Sequence, residues 1–264
     1  MSDDRRERDV PFSAAVEPIG SAIEIVEAER EYVLAERDAF LRFGDAVRTL
    51  SVPADRTVGA IALSVVGTSD GRQLRDVRDR YRETVMATPD YEAQYGQPLS
   101  EHMASEFTED VAAAVTAGNR FSEPLKRLLL QQARDAARQR ETFLDVLEEE
   151  RDALTDAYRR LRGTTSGLDG TTEFELLREP FAELVDREHD LRRDASRCER
   201  LLWDRQREIH GQHRRHPRVD DLLVQEYLYE RLDVTFPVLS ATLDRLRELR
   251  RGRRAVTRAI TRRY

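Results

Sequence analysis

Between Leu177 and Ile209 apolar or small residues return at Leu177, Phe181, Leu184, Leu191, Ala195, Cys198, Leu202 and Ile209, in the three- and four-residue steps of a heptad. A stretch with that period is a helix with one narrow apolar seam, and the seam requires a partner helix. Glu188 and Arg205 interrupt it. Each would cost several kcal/mol if buried unpaired and is tolerable where its side chain reaches water at the seam edge.

The partner predicted from the sequence is the segment just upstream. Ser122 is placed to cap a helix, Pro124 falls in its first turn, and Leu125, Leu128, Leu129, Ala133, Ala136, Phe143, Leu147, Leu154, Tyr158 and Leu161 form its looser apolar set. The turn-rich segment from Gly163 to Gly170 then joins two arms, 122–162 and 173–210, of about 60 Å each at 1.5 Å per residue. Equal arms and a short joint imply an antiparallel hairpin over 122–210, with Leu184, Leu191 and Cys198 facing the other arm and a kink or restart at Pro180.

The rest of the chain reads as helix packed on this hairpin. Residues 1–12 are charged and aperiodic, the pattern of a disordered start. From about Pro18 a helix carries Ile19, Val26, Val33, Phe40 and Val47 one heptad apart. Ser51 to Asp55 break it, and the apolar run Ile61 to Val66 reads as a linker or lid. Helices follow over about Ser69–Ala87, with Leu74, Val77, Tyr81 and Val85 inward, and about Leu99–Ala117, with Met103, Phe107, Val111 and Ala114 inward. The sequence His210 to Pro217 reads as a break. A short helix over Asp220–Arg231 has Leu223, Tyr227 and Leu228 inward, and a last helix opening at Pro237 carries Leu239, Leu243, Leu246, Val256 and Ile260.

Composition bears on what such a chain can do. Only 39% of its 264 residues are apolar and 36% are charged, a balance that fits helical bundles and coiled coils better than a compact globule. The formal charge is −7, and Lys126 is the single lysine among 44 basic residues. An acidic chain that uses arginine for lysine suits a salt-rich cytoplasm; GC-rich codon usage produces the same replacement. Cys198 is the single cysteine and sits on the seam, which predicts a buried, inert thiol. The opening residues carry no apolar signal segment, and the run Val58 to Val66 has about half the length of a membrane span. The expectation is a cytoplasmic protein that does not enter the membrane.

Two segments carry a resemblance. Tyr81 to Met103 (YRETVMATPDYEAQYGQPLSEHM) and Tyr227 to Leu239 (YLYERLDVTFPVL) resemble an uncharacterised family of helical, coiled-coil-containing proteins from halophilic archaea. The resemblance implies an all-helical, salt-adapted, cytoplasmic protein. It brings no activity and no catalytic residue.

Candidate chemistry is sparse. His210, His213 and His216 are three apart, but Arg214 and Arg215 lie between them and oppose a cation. His102, Glu106 and Asp110 are four apart on one helical face and chemically acceptable as ligands, yet an acidic solvent face gives the same pattern. The sequence contains no nucleophile elbow, phosphate loop or dinucleotide fingerprint; Gly67-Thr-Ser-Asp-Gly71 lacks the lysine and the strand that a phosphate loop needs. The charge anomaly is at the C-terminal end. Nine arginines against Glu248 give residues 245–264 a formal +8, which leaves −15 on the rest. A basic helix can track phosphates or pair with carboxylates. Leu246, Leu249, Val256 and Ile260 give this one an apolar face, and no aromatic residue but Tyr264 is there to stack on bases.

The sequence therefore predicts an all-α fold: an elongated antiparallel helical bundle with a long coiled-coil hairpin, one helical domain over 13–264. Function is expected to be non-enzymatic interaction or scaffolding, by self-association or with a protein partner. The candidate surface is Arg250, Arg251, Arg253, Arg254 and Arg258, with no catalytic residue, no cofactor and no metal. A nucleic-acid-associated regulator using the same arginines is the alternative.

Overall fold

A computed structural model describes residues 12–52, 70–89, 91–164, 171–215 and 224–263. Their regular structure is helical throughout: α1 (Phe12–Thr49), α2 (Asp70–Thr84), α3 (Tyr91–Gln94), α4 (Leu99–Glu106), α5 (Glu109–Thr116), α6 (Glu123–Arg162), α7 (Glu173–Leu176), α8 (Phe181–Arg215), α9 (Val224–Leu228) and α10 (Pro237–Thr261). The protein is all-α. The expected disordered start lies outside the described residues except for Phe12, where α1 already begins. The apolar run Ile61 to Val66, the turn residues 165–170 and His216 also lie outside them. None of these helices is long and apolar enough to cross a membrane, among the described residues.

The chain falls into two compact units, a middle one of residues 28–147 and a terminal one of residues 1–27 and 148–264. Helices α1 and α6 contribute to both.

In the middle unit, heptad residues of α1 and the inward face of α2 form the core. Phe40, Phe43 and Val47 pack with Leu74, Val77, Tyr81 and Val85 of the α2 region, with Met103, Phe107, Val111 and Val115, and with Leu129, Ala133 and Ala136 of α6. Gly44 of α1 faces α6, where a Cβ would meet that of Ala133 at 3.6 Å, an ordinary contact distance. The single helix expected over 99–117 is two. Thr108, in extended conformation, caps α5 by accepting the Val111 N–H on its side-chain oxygen, and Glu109 and Asp110 fill the first turn. A capping threonine followed by acids outweighs an unbroken apolar period and restarts the helix.

In the terminal unit, α8 and α10 pack along one another. Leu184, Leu191 and Cys198 of the seam are buried, as are Leu246, Leu249, Val256 and Ala259 of α10. The chain restarts as a helix at Phe181, directly after Pro180. The two arms of the expected hairpin do not match end to end. Leu161, Gly163 and Thr164 at the end of α6 share a cleft with Arg197, Cys198 and Leu201, and Glu150 further back takes Arg205. The helices run in opposite directions, but α8 begins more than ten residues before the level at which α6 ends. Arg253 of α10 pairs with Glu188 in that overhang.

Three further expectations are corrected. Helix α1 starts ahead of Pro18 and passes through it. Helix α8 continues through His210 and Gly211 to Arg215, because one interior glycine costs only about 1 kcal/mol against the cooperativity of a long helix. Tyr227 and Leu243 are exposed, while Tyr229 and Arg245 point inward. A buried polar side chain with a waiting partner is invisible to apolar periodicity.

Candidate interaction surface

Helix α10 opens with Pro237 at its start, where a missing N–H costs nothing. Its arginines divide by face. Arg245 is buried to 1% exposure. Its Nε donates to Thr164 Oγ1 at 2.8 Å and its Nη1 to Glu248 at 2.6 Å, and Nη2 reaches the Thr164 carbonyl just past the end of α6. Arg250 donates to Glu199 at 2.7 Å and Arg253 to Glu188 at 2.6 Å, both carboxylates belonging to α8. Arg251 is half-buried, and Arg254 and Arg258 are exposed. Of the five candidate arginines, then, two face α8 and two face solvent.

A cation closing a helix end recurs. Arg78 donates to the Val115 carbonyl in the last turn of α5 at 2.9 Å. Lys126 donates to the carbonyls of Arg48 and Leu50, at 2.9 and 2.5 Å, where α1 ends. Arg263 reaches the Leu176 and Leu177 carbonyls at the end of α7. Each supplies a donor to orphan carbonyls and a positive charge to the negative end of a helix.

The charged interruptions of the seam have partners. Glu188 takes Arg253, and Arg205, 3% exposed, meets Glu150, which is fully buried. Glu150 accepts from Arg205 at 2.5 Å, from Tyr229 Oη at 2.7 Å and from Gln225 Nε2 at 2.9 Å, tying α6, α8 and the α9 region together. Burial, then the Glu150 charge, raises the Tyr229 pKa, so the phenol stays a donor. Sequence reading missed this knot. The one signal for it was a charged residue on a seam position.

His102 is buried in the middle unit, where it shares a 2.9 Å hydrogen bond with Tyr81 Oη through Nδ1. The rings of Tyr91 and Tyr95 stand edge-on to it at 5.0 and 4.9 Å. Burial lowers its pKa, against the opposing pull of Glu106 and Glu36. Glu106 and Glu36 both accept from Arg140, at 2.7 and 3.1 Å, and Glu36 also accepts from Tyr95 at 2.8 Å. Arg140 is pulled down by burial, but the two carboxylates outweigh this and hold its pKa above the ordinary value. The break at Phe107 puts Asp110 on a different helix from His102 and Glu106, so the trio expected on one face is dispersed. Of the other histidine set, His210 and His213 both fall within α8.

A cleft of about 380 Å³ opens between the end of α6 and α8, walled by Arg160, Arg197, Arg200, Thr164, Cys198 and Asp204. Cys198 is buried, which pushes its thiol up to about 11. Trp203, the single tryptophan, is 68% exposed on α8.

The chain matches no curated protein and no solved structure. A family model described as a domain of unknown function (DUF7260) matches residues 17–253, a span that takes in both units and most of α10. The chain belongs to the DUF7260 family.

Proposed function

We propose that the protein is a non-enzymatic interaction or scaffolding protein, working through contacts with protein, a second copy included. The observation that carries this reading is the use made of the basic helix. Arg245, Arg250 and Arg253 are engaged by carboxylates and a helix end of their own unit, and the apolar face of α10 is buried. A helix so engaged is a structural element first, unlike a tail kept free for phosphates. Trp203, exposed on a charged helix, is the residue type that anchors protein interfaces. The acidic, arginine-rich composition suits a salt-rich cytoplasm, where phosphate contacts weaken by orders of magnitude and close carboxylate–guanidinium pairs persist.

Exposed Arg254 and Arg258 favour the alternative, a nucleic-acid-associated regulator. Sedimentation of the intact protein in molar potassium chloride, alone and with duplex DNA, separates the two. The expected result is concentration-dependent association and no co-sedimenting DNA. Selection of one DNA sequence over random competitor at that salt, lost in Arg254→Glu/Arg258→Glu, would replace the scaffold reading with the regulator.

A further inference from the structure

The outer faces of α8 and α1, turned away from their buried seams, carry opposite charge in one shared pattern. On α8, Arg200 and Arg207 stand seven residues apart with Trp203 between them, three from the first and four from the second. On α1, Glu24 and Glu31 stand seven apart with Ala28 between them, four from the first and three from the second. At about 100° per residue each trio keeps to an arc of roughly 60° on a single continuous helix. Read in opposite directions the two patterns coincide: Arg200 falls against Glu31, Trp203 against Ala28 and Arg207 against Glu24. One heptad further, the same register sets Arg193 opposite Asp38, each held by a neighbour on its own helix, Asp190 and Arg37.

All six residues of the two trios are exposed. Trp203 leaves a large apolar ring in water, 68% exposed, a state that a protein interface relieves. Among the described residues no ion pair engages Arg200, Glu24 or Glu31. Arg207 pairs with Asp204, three residues away, in an exposed bridge of the kind that holds weakly. Ala28, with its short side chain, leaves a gap between two carboxylates, the shape that receives a large side chain from a facing helix.

We infer that the outer face of α8 in one copy docks antiparallel on the outer face of α1 in a second copy, with Trp203 seated over Ala28 between two arginine–glutamate pairs. This rests on the interaction reading above and names the partner and the surface. Charge and step order select this occupant together, since α8 against another α8 would set arginine on arginine. The seated ring excludes water from the flanking pairs, which then hold better than bridges left in solvent. Close guanidinium–carboxylate pairs also survive salt that screens longer-range attraction.

The test uses four full-length forms: wild type, Arg200→Glu/Arg207→Glu, Glu24→Arg/Glu31→Arg, and Trp203→Ala. The changed positions are exposed, and thermal melts establish that each variant folds. Sedimentation equilibrium is expected to show each variant alone self-associating at least about tenfold more weakly than wild type. An equimolar mixture of the two charge reversals is expected to recover association, because the reversed faces complement each other. Unchanged association in the variants overturns the docking and leaves the interaction reading standing. Weakening that the mixture does not restore overturns the pairing of these two faces. A wild type that stays monomeric throughout overturns the docking, and self-association with it. Variants that keep their mass but lose retention of single-stranded DNA assign the arginines and Trp203 to nucleic acid and overturn the docking.

Discussion

Lys126 is the single lysine among 44 basic residues, and its ammonium lies between two carbonyl oxygens that end α1. A compact, three-donor ammonium on a flexible stem reaches both carbonyls from its one nitrogen. Lys126→Met is expected to lower stability by about 1–2 kcal/mol in urea titrations, with Lys126→Arg recovering only part of it. Gly118 makes a complementary case. A Cβ added there would fall well inside van der Waals contact of the Ala114 carbonyl oxygen, so that backbone would have to move. Exchange of glycine for alanine commonly stabilises a chain by restricting its unfolded state, but Gly118→Ala is expected to lower the urea midpoint. The sequence ended a helix at about Ala117, next to Gly118, and marked Cys198 as a buried thiol, both from residue type and position. It gave no means of seeing the side chains that meet them across the fold, because those partners are distant in sequence.

At the scale of elements, periodicity was the legible part. The heptad of α1, the inward face of α2, the seam of α8 and the restart after Pro180 could all be read from apolar spacing and proline. The break at Thr108, the inward turn of Tyr229 and the offset of α8 against α6 could not. Each depends on a polar group finding its partner, which apolar spacing does not record. Of the candidate surface, the arginines were visible, but their division between α8 carboxylates and solvent was not. Glu150 offers the sharpest test at this scale. Glu150→Ala strands the buried Arg205 guanidinium and is expected to cost about 3–5 kcal/mol, read from chemical denaturation. Glu150→Leu combined with Arg205→Met removes both charges and is expected to regain most of that loss, a non-additivity that marks a pair. Tyr229→Phe, which leaves the ion pair in place, is expected to cost about 1 kcal/mol.

For the whole molecule, the buried histidine sets a dependence on pH. Burial holds the His102 pKa below the ordinary 6.5 of histidine, so the unfolded chain binds the proton more readily than the native one. Its contribution to stability is complete above 6.5 and is lost as pH falls through the depressed native value. Urea midpoints are expected to fall between about pH 7.5 and about pH 5.5, and His102→Gln to show a flatter profile over that range. An equal slope in the variant would move the cause to other groups.

The terminal unit takes residues from before position 28 and after position 147, with the middle unit between them in the chain. On a ribosome adding 5–20 residues per second, every residue of the middle unit is available on the order of ten seconds before α10 has been made. During that interval α8 lacks the helix it packs along. The nascent chain therefore carries a completed middle unit and an apolar seam awaiting closure, and the synthesis of α10 ends the seam's exposure to chaperones and to other nascent chains.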